Sequence, residues 1–235
     1  MRLALAVLMI VLPQRLKHLL ARHVLKWDVD PTAYIGRSLV MVRKVTLGPG
    51  SSIGPMNIIR DLEELRLGEG ASIATRNRIA GIPLASTVFQ KPNRNPSLVL
   101  GDYAMITVAH ELDCSDLIEL KEYAVVAGFR CSILTHNLNL VKDRFESKPV
   151  VLGARSVVMS NCTLLSSSVP DRSIISAGSV VTTPLTTNLT LYRGNPAEAV
   201  RSLPESLKFF HRVGLQAQIA DEVAALKKET LQGEV

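Results

Sequence analysis

Aliphatic side chains recur every six residues through the middle of this 235-residue chain, and that spacing is foreign to most folds. Stepping by six from Leu47 gives Ile53, Ile59 and Leu65, and a fresh phase from Leu67 gives Ile73 and Ile79. The step returns at Leu100, Ile106, Leu112 and Ile118, at Leu120 and Val126, and at Leu152, Val158 and Leu164. After a shortening by one residue it continues at Val169, Ile175 and Val181. Such a period is neither the 3.6 of a helix nor the alternation of an ordinary strand. Gly48, Gly54, Gly68, Ala74, Ala80, Gly101, Ala127, Gly153 and Ser176 each follow an aliphatic member of the pattern. Small residues there are expected to turn corners, where the backbone takes conformations that bulky side chains resist. Three short strands then make one coil of a parallel β-helix. Its core would be a column of single aliphatics, which accounts for a chain that is 47% hydrophobic yet only 4% aromatic.

Two stretches break the period and read as loops projecting from the prism, at residues 82–97 and 135–149. In a solenoid the coils are scaffold and the insertions carry function. The ends also stand apart. Residues 1–27 hold the apolar run Leu3–Leu12 among Arg2, Arg15, Lys17, Arg22 and Lys26. The run is too short to span a bilayer, which takes roughly 20 residues. It reads as a basic amphipathic helix that either packs on the core or lies on a membrane with its cations toward acidic headgroups. Residues 204–235 place Leu207, Phe210, Leu215, Ile219, Val223 and Leu226 at helical steps, giving a helical tail. The β-helix domain is expected over residues 28–203.

The net charge of +6 suits an anionic partner: a phosphorylated cofactor, a nucleotide or a membrane surface. Three cysteines without a CxxC pair give neither a disulfide framework nor a zinc site, and point to a reducing cytoplasm.

Four stretches carry a resemblance to the hexapeptide-repeat acyltransferases, the left-handed β-helix enzymes that include maltose, galactoside, serine and xenobiotic acetyltransferases. Asp30-Pro-Thr-Ala-Tyr-Ile-Gly36 resembles the segment that opens the helix, and Thr135-His136-Asn137-Leu138 resembles the loop with the catalytic histidine. Lys148-Pro149-Val150-Val151-Leu152-Gly153 is similar to the re-entry into the repeats. Ile175-Ser-Ala-Gly-Ser-Val-Val181, with Gly194-Asn195-Pro196-Ala197 beyond it, resembles the acyl-coenzyme A end. Their order is the specific signal. The resemblance implies a left-handed helix, a homotrimer with sites between subunits, and acetyl-CoA as acyl donor without a metal. It implies a saccharide hydroxyl as acceptor, on a cell-surface polysaccharide or glycolipid precursor. The alternatives are an amino-sugar N-acetyltransferase and an inactive β-helix scaffold. Val157, Met159 and Glu198 depart from the family's usual tryptophan, glycine and basic residue, and motivate the scaffold reading.

Acyl transfer to an alcohol needs a base at the hydroxyl, and histidine, with an ordinary pKa of about 6.5, can take that proton and return it to the leaving thiolate. His18 and His23 lie in the basic N-terminal segment and His211 in the tail, which leaves His110 and His136. His136, where the repeat gives way to a loop, is the expected general base. Asp113 and His110 are the expected acceptor contacts, with a structural corner role as the alternative for Asp113. Ser176, Ala177 and Gly178 are expected to border the pantetheine arm beside Gly194, Asn195, Pro196 and Ala197, with Arg193 or Arg201 serving the phosphates. A zinc carbonic anhydrase on the same fold needs three histidines, and the repeats supply two. Nucleic acid is not an expected partner. Peripheral contact at the inner face of the membrane is an expected option.

Overall fold

The structure, a computed structural model, describes residues 2–89 and 93–214. Its strands form a three-faced parallel β-helix. The first face stacks Asp28–Val29, Lys44–Leu47, Glu64–Leu67, Ser97–Leu100, Ile118–Leu120 and Val150–Leu152. The second runs from Tyr34–Ile35 through Ser52–Ile53, Ser72–Thr75, Met105–Val108, Val125–Phe129, Val157–Val158 and Ile174–Ile175 to the hairpin Thr190–Gly194/Ala197–Ser202. The third stacks Leu39–Met41, Ile58–Arg60, Arg78–Ala80, Glu111–Asp113, Ser132–Leu134, Thr163–Leu165 and Val180–Val181.

Parallel register places like on like. On the second face Ile35, Ile53, Ile73, Ile106, Val126, Val158 and Ile175 lie over one another. On the third, Val40, Ile59, Ile79, Leu112, Ile133, Leu164 and Val181 do the same. The first face carries two columns: Val45, Leu65, Leu98, Ile118 and Val150 beside Leu47, Leu67, Leu100, Leu120 and Leu152. This explains the fresh phase at Leu67: Leu65 and Leu67 occupy one strand, two residues apart, and both point inward. Burying an aliphatic of this size contributes about 1.5–3 kcal/mol, and these columns are the core.

The reason for the small residues differs from the expectation. Gly48, Gly54, Gly68, Gly101 and Gly153 do not need left-handed backbone; they stand where successive coils nearly touch. A Cβ on Gly54 would lie 2.0 Å from the Ala74 carbonyl oxygen, and one on Gly153 would lie 2.4 Å from the Asp171 nitrogen. The left-handed corner positions fall mostly to larger residues, among them Met56, Arg76, Tyr103, Tyr123, Arg155 and Asn161.

The N-terminal segment forms α1 (Arg2–Val11) and α2 (Gln14–Leu19), continued by a wider turn at Leu20–Val24. The first coil would otherwise leave an open edge of peptide groups. The Gln14 amide covers it on both sides, donating to the Ile35 carbonyl at 2.6 Å and accepting from the Ile35 N–H at 3.2 Å. Lys17 donates to the carbonyls of Ile35 and Gly36, His18 bonds the Ala33 carbonyl, and Arg22 donates to the Val29 carbonyl. Lys17, His18 and Arg22 therefore spend these polar atoms on the open end of the first coil. Burial, followed by the nearby Arg37, holds the Lys17 ammonium below its ordinary pKa.

At the far end Lys208–His211 is a single 3-10 turn with Phe210 buried, and the Gly214 N–H donates to the Tyr123 hydroxyl. The rest of the expected helical tail, residues 215–235, lies outside the described residues. The insertion at 135–149 is an antiparallel hairpin, His136–Asn139 with Arg144–Ser147.

Candidate active site

His136 follows Ser132–Leu134 of the third face, where the chain leaves the prism for the hairpin. One coil earlier, Asp113 ends the strand paired with it, Asp113 lying opposite Leu134. The corner is locked by Thr135, whose hydroxyl donates to the Asp113 carbonyl at 2.7 Å and accepts from the Asp116 N–H at 2.9 Å. Asp116 in turn accepts from the Asn95 and Leu117 N–H groups and the Ser147 hydroxyl. The roots of both insertions are thus tied to one buried carboxylate.

Against that frame His136 Nδ1 hydrogen-bonds Asp113 Oδ2. The other carboxylate oxygen accepts from the Ser115 N–H at 3.1 Å and the Ser115 hydroxyl at 2.5 Å. Burial alone would push the Asp113 carboxyl up; the bonds from His136 and Ser115 outweigh it and hold the group below the usual carboxylate range. An ionised carboxylate only accepts, so a ring proton sits on Nδ1, and in the neutral imidazole Nε2 is the nitrogen with the lone pair. Among the described residues Nε2 has no hydrogen-bond partner. The His136 side chain is 28% exposed, so the ring is open in part to solvent.

Two aromatics fix the imidazole plane. Phe89, from the 82–97 insertion, meets it edge-on at 5.6 Å between centroids, and Phe145, from the hairpin, lies at 5.9 Å. The Arg94 guanidinium covers the Phe89 ring at 4.1 Å and donates to the carbonyls of Ile82, Pro83 and Ser115. The contacts close on themselves, from Arg94 to Ser115, Asp113, His136, Phe89 and back to Arg94.

Asp113 is thus engaged through both carboxylate oxygens, Oδ2 by His136 and Oδ1 by Ser115, a use different from the expected acceptor contact. His110 is also placed differently from the expectation. It is 1% exposed and belongs to an inner corner ladder with Ser38, Asn57, Asn77 and Cys131. The Cys131 N–H can only donate, so His110 Nδ1 accepts and Nε2–H faces the Thr107 hydroxyl at 2.9 Å. Burial pushes its pKa down to about 4. A ring so enclosed presents no surface to an acceptor.

The residues expected at the donor end gather at another corner, between the second and third faces. The Ser176 N–H donates to the Tyr192 carbonyl and the Gly194 N–H to the Ser179 hydroxyl, so Ser176–Gly178 and Arg193–Ala197 lie together. Ala177, Gly178, Arg193, Asn195 and Pro196 are exposed. A Cβ on Gly178 would meet nothing within 4 Å. Ser176 is less available than expected, because its N–H is committed to Tyr192 and its carbonyl accepts from the Cys162 thiol. Within one chain the width of the third face separates this corner from His136.

Phe89, Arg94, Ser115 and Phe145 were not singled out by sequence. The Asp113–His136 link had a usable signal, since a separation of 23 residues is one coil plus a short overhang in this repeat.

No family model and no curated protein matches the chain. Among solved structures it is similar to a hexapeptide-repeat acetyltransferase of Vibrio cholerae complexed with acetyl coenzyme A, at 15% identity over 86% of this chain and 87% of that one, with a TM-score of 0.46. It is similar to a hexapeptide transferase family protein of Anaplasma phagocytophilum at 19% identity over 86% and 92% of the two chains, TM-score 0.41. It is also similar to a variant of AntD, an N-acyltransferase of Bacillus cereus in complex with dTDP-4-amino-4,6-dideoxyglucose and coenzyme A. Identity there is 12% over 86% and 90%, TM-score 0.48. The solved proteins this chain is similar to are thus acetyl-, acyl- and hexapeptide-family transferases, two of the three described with acetyl coenzyme A or coenzyme A bound.

Proposed function

We propose that the protein is an acyl-CoA-dependent O-acetyltransferase that moves an acetyl group to a hydroxyl of a saccharide, on a cell-surface polysaccharide or glycolipid precursor, in the cytoplasm. The observation that carries this reading is the His136–Asp113 pair at the root of two insertions, with Nδ1 engaged and Nε2 free of any partner among the described residues. In the proposed step Nε2 takes the acceptor hydroxyl proton while the oxygen attacks the thioester carbonyl carbon. The C–O bond forms, the C–S bond breaks, and the protonated Nε2 returns its proton to the thiolate, leaving an ester and a free thiol. Asp113 stabilises the imidazolium between the two transfers. A positioned base of this kind contributes roughly 10²–10⁴-fold to rate.

Open space at Gly178, exposed Ala177 and Arg193, which pairs with no acid among the described residues, suit an extended, phosphate-bearing donor at the second corner. Because that corner and His136 lie apart in one chain, the functional unit in this reading is a homotrimer whose sites combine the His136 corner of one protomer with the donor corner of its neighbour. Incubation with acetyl-CoA and a panel of glycans should release free thiol and yield hydroxylamine-labile acetyl groups, as esters do; a hydroxylamine-stable product would assign amine acceptors instead. Mixing refolded His136→Ala subunits with subunits carrying Gly178→Trp should restore activity that neither has alone. A monomeric mass in solution, or no recovery on mixing, overturns the shared site.

A further inference from the structure

α1 is apolar on both its inward and outward sides, and α2 is amphipathic in an inverted sense. Of the α1 residues whose burial is described, Ala6 and Met9 are the buried ones, while Leu3, Val7, Leu8 and Val11 project outward, Val11 at 75% exposure. Positions 3, 7, 8 and 11 fall within one arc of a helix of 3.6 residues per turn. α2 adds Leu16 and Leu19, also exposed. Its inward side is the polar one, made of Gln14, Lys17 and His18, which serve the first coil. A soluble helix normally does the reverse, burying its apolar stripe, and an apolar surface of this kind marks an interaction site.

A groove of about 480 Å³ lies between α2 and the first coil, walled by Arg15, His18, Arg22, His23, Tyr34 and Leu19, one of the exposed leucines of α2. Among the described residues Arg15, His23 and Lys26 pair with no acid. The sequence has no aspartate or glutamate before Asp28. A second copy of this chain is a poor occupant for that reason: a two-fold contact sets the same patch against itself, and would bring these cations together with no acid from the segment to offset them. An anionic surface with an apolar interior meets both features. No helix among the described residues is long and apolar enough to cross a membrane, so the segment lies along the surface.

We propose that the α1–α2 face docks the protein on an anionic lipid bilayer, with Leu3, Val7, Leu8 and Val11 entering the acyl boundary and phospholipid headgroups seated in the Arg15/His23 groove. The cap at the first coil then turns one end of the prism toward the bilayer. His136 follows the fifth coil; at 4.7–4.9 Å per strand spacing, that is roughly 20 Å along the axis, within reach of a glycan whose lipid end stays in the membrane. Docking does not depend on acyl transfer.

Vesicle flotation with the full chain tests it, using phosphatidylglycerol mixed into phosphatidylcholine against phosphatidylcholine alone. The wild type should float with the anionic vesicles and not with the neutral ones. Leu3→Glu/Val11→Glu should abolish flotation, and Arg15→Gln should weaken it about fivefold, the share of one juxtamembrane cation. All should keep the wild-type circular dichroism, since none of the three side chains is buried. Failure of the wild type to float, or flotation unchanged in the double variant, overturns the proposal. So does a double variant whose only change is a lower solution mass, which would assign the face to a second copy. Acetyl transfer to a soluble acceptor, unchanged in the double variant, separates the loss of docking from any failure of the enzymatic reading.

Discussion

Replacing Asp113 with asparagine keeps the side chain's shape and removes its charge, and the surrounding bonds decide which way the new amide points. The Ser115 N–H can only donate, and it does so to Oδ1 at 3.1 Å. The introduced asparagine must keep its carbonyl oxygen there, which turns its NH2 toward His136 Nδ1. The imidazole then accepts at Nδ1 and carries its proton on Nε2, the nitrogen that has to receive the acceptor proton. Loss of a charge-assisted hydrogen bond costs about 1.5–3 kcal/mol, roughly 10–150-fold in rate at about 1.4 kcal/mol per decade. Trapping the wrong tautomer adds to that; the same aspartate-to-asparagine change in a Ser-His-Asp triad lowers kcat by about 10⁴. We therefore expect kcat for thiol release to fall between about 10² and 10⁴, with KM for acetyl-CoA little changed. Asp113→Ala, which leaves the tautomer free, should be the milder variant. An asparagine variant within about threefold of wild type, or an alanine variant more damaging than asparagine at equal stability, would falsify the orienting role.

Three further outcomes follow from the geometry. His110→Asn should extend the Asn57–Asn77 ladder and keep wild-type activity. Because the folded pKa of His110, about 4, lies below its unfolded value of about 6.5, the wild type loses stability as pH falls from 6.5 to 4, by about 3 kcal/mol; acid titration followed by circular dichroism should show that window removed in the variant. Gly54→Ala forces a Cβ to 2.0 Å from a backbone oxygen and should lower stability by about 2 kcal/mol or more, as overpacking does, whereas Gly178→Ala meets no neighbour and should cost only about 1 kcal/mol for its left-handed backbone, both read as denaturant midpoints. Arg94→Met keeps the apolar contact with Phe89 but drops three carbonyl bonds; it should reduce kcat about tenfold and shift the pH–rate profile, while a purely structural role would change stability alone.

The periodicity made the fold legible because a β-helix core repeats in sequence: Ile53, Ile73 and Ile106 had to stack. It was silent on why Gly54 is small, since the near contact with Ala74 arises only when coils lie one on another. His136 was legible as the histidine at an insertion. Its partner was legible only as an aspartate at a corner, which has several ordinary uses; the one-coil separation from His136 was the signal that would have paired them. His110 misled for the same reason: a histidine at a corner reads as polar, and the ladder that buries it runs across five coils. Phe89 and Arg94 belong to an insertion outside the repeat, where no period says which side chain turns inward. At the N-terminus the residue types were informative and their direction was not; Lys17 and Arg22 look like lipid contacts until the first coil's unpaired carbonyls are placed beside them.

The most direct test of the His136 base is the pH dependence of acetyl transfer by wild-type and His136→Ala protein, folded to the same extent, with a glycan acceptor that the wild type uses. The variant should fall by about 10²–10⁴ in rate, and its pH profile should differ from that of the wild type. Equal rates and equal profiles in the two proteins would contradict a histidine-based transfer and remove His136 from the chemistry.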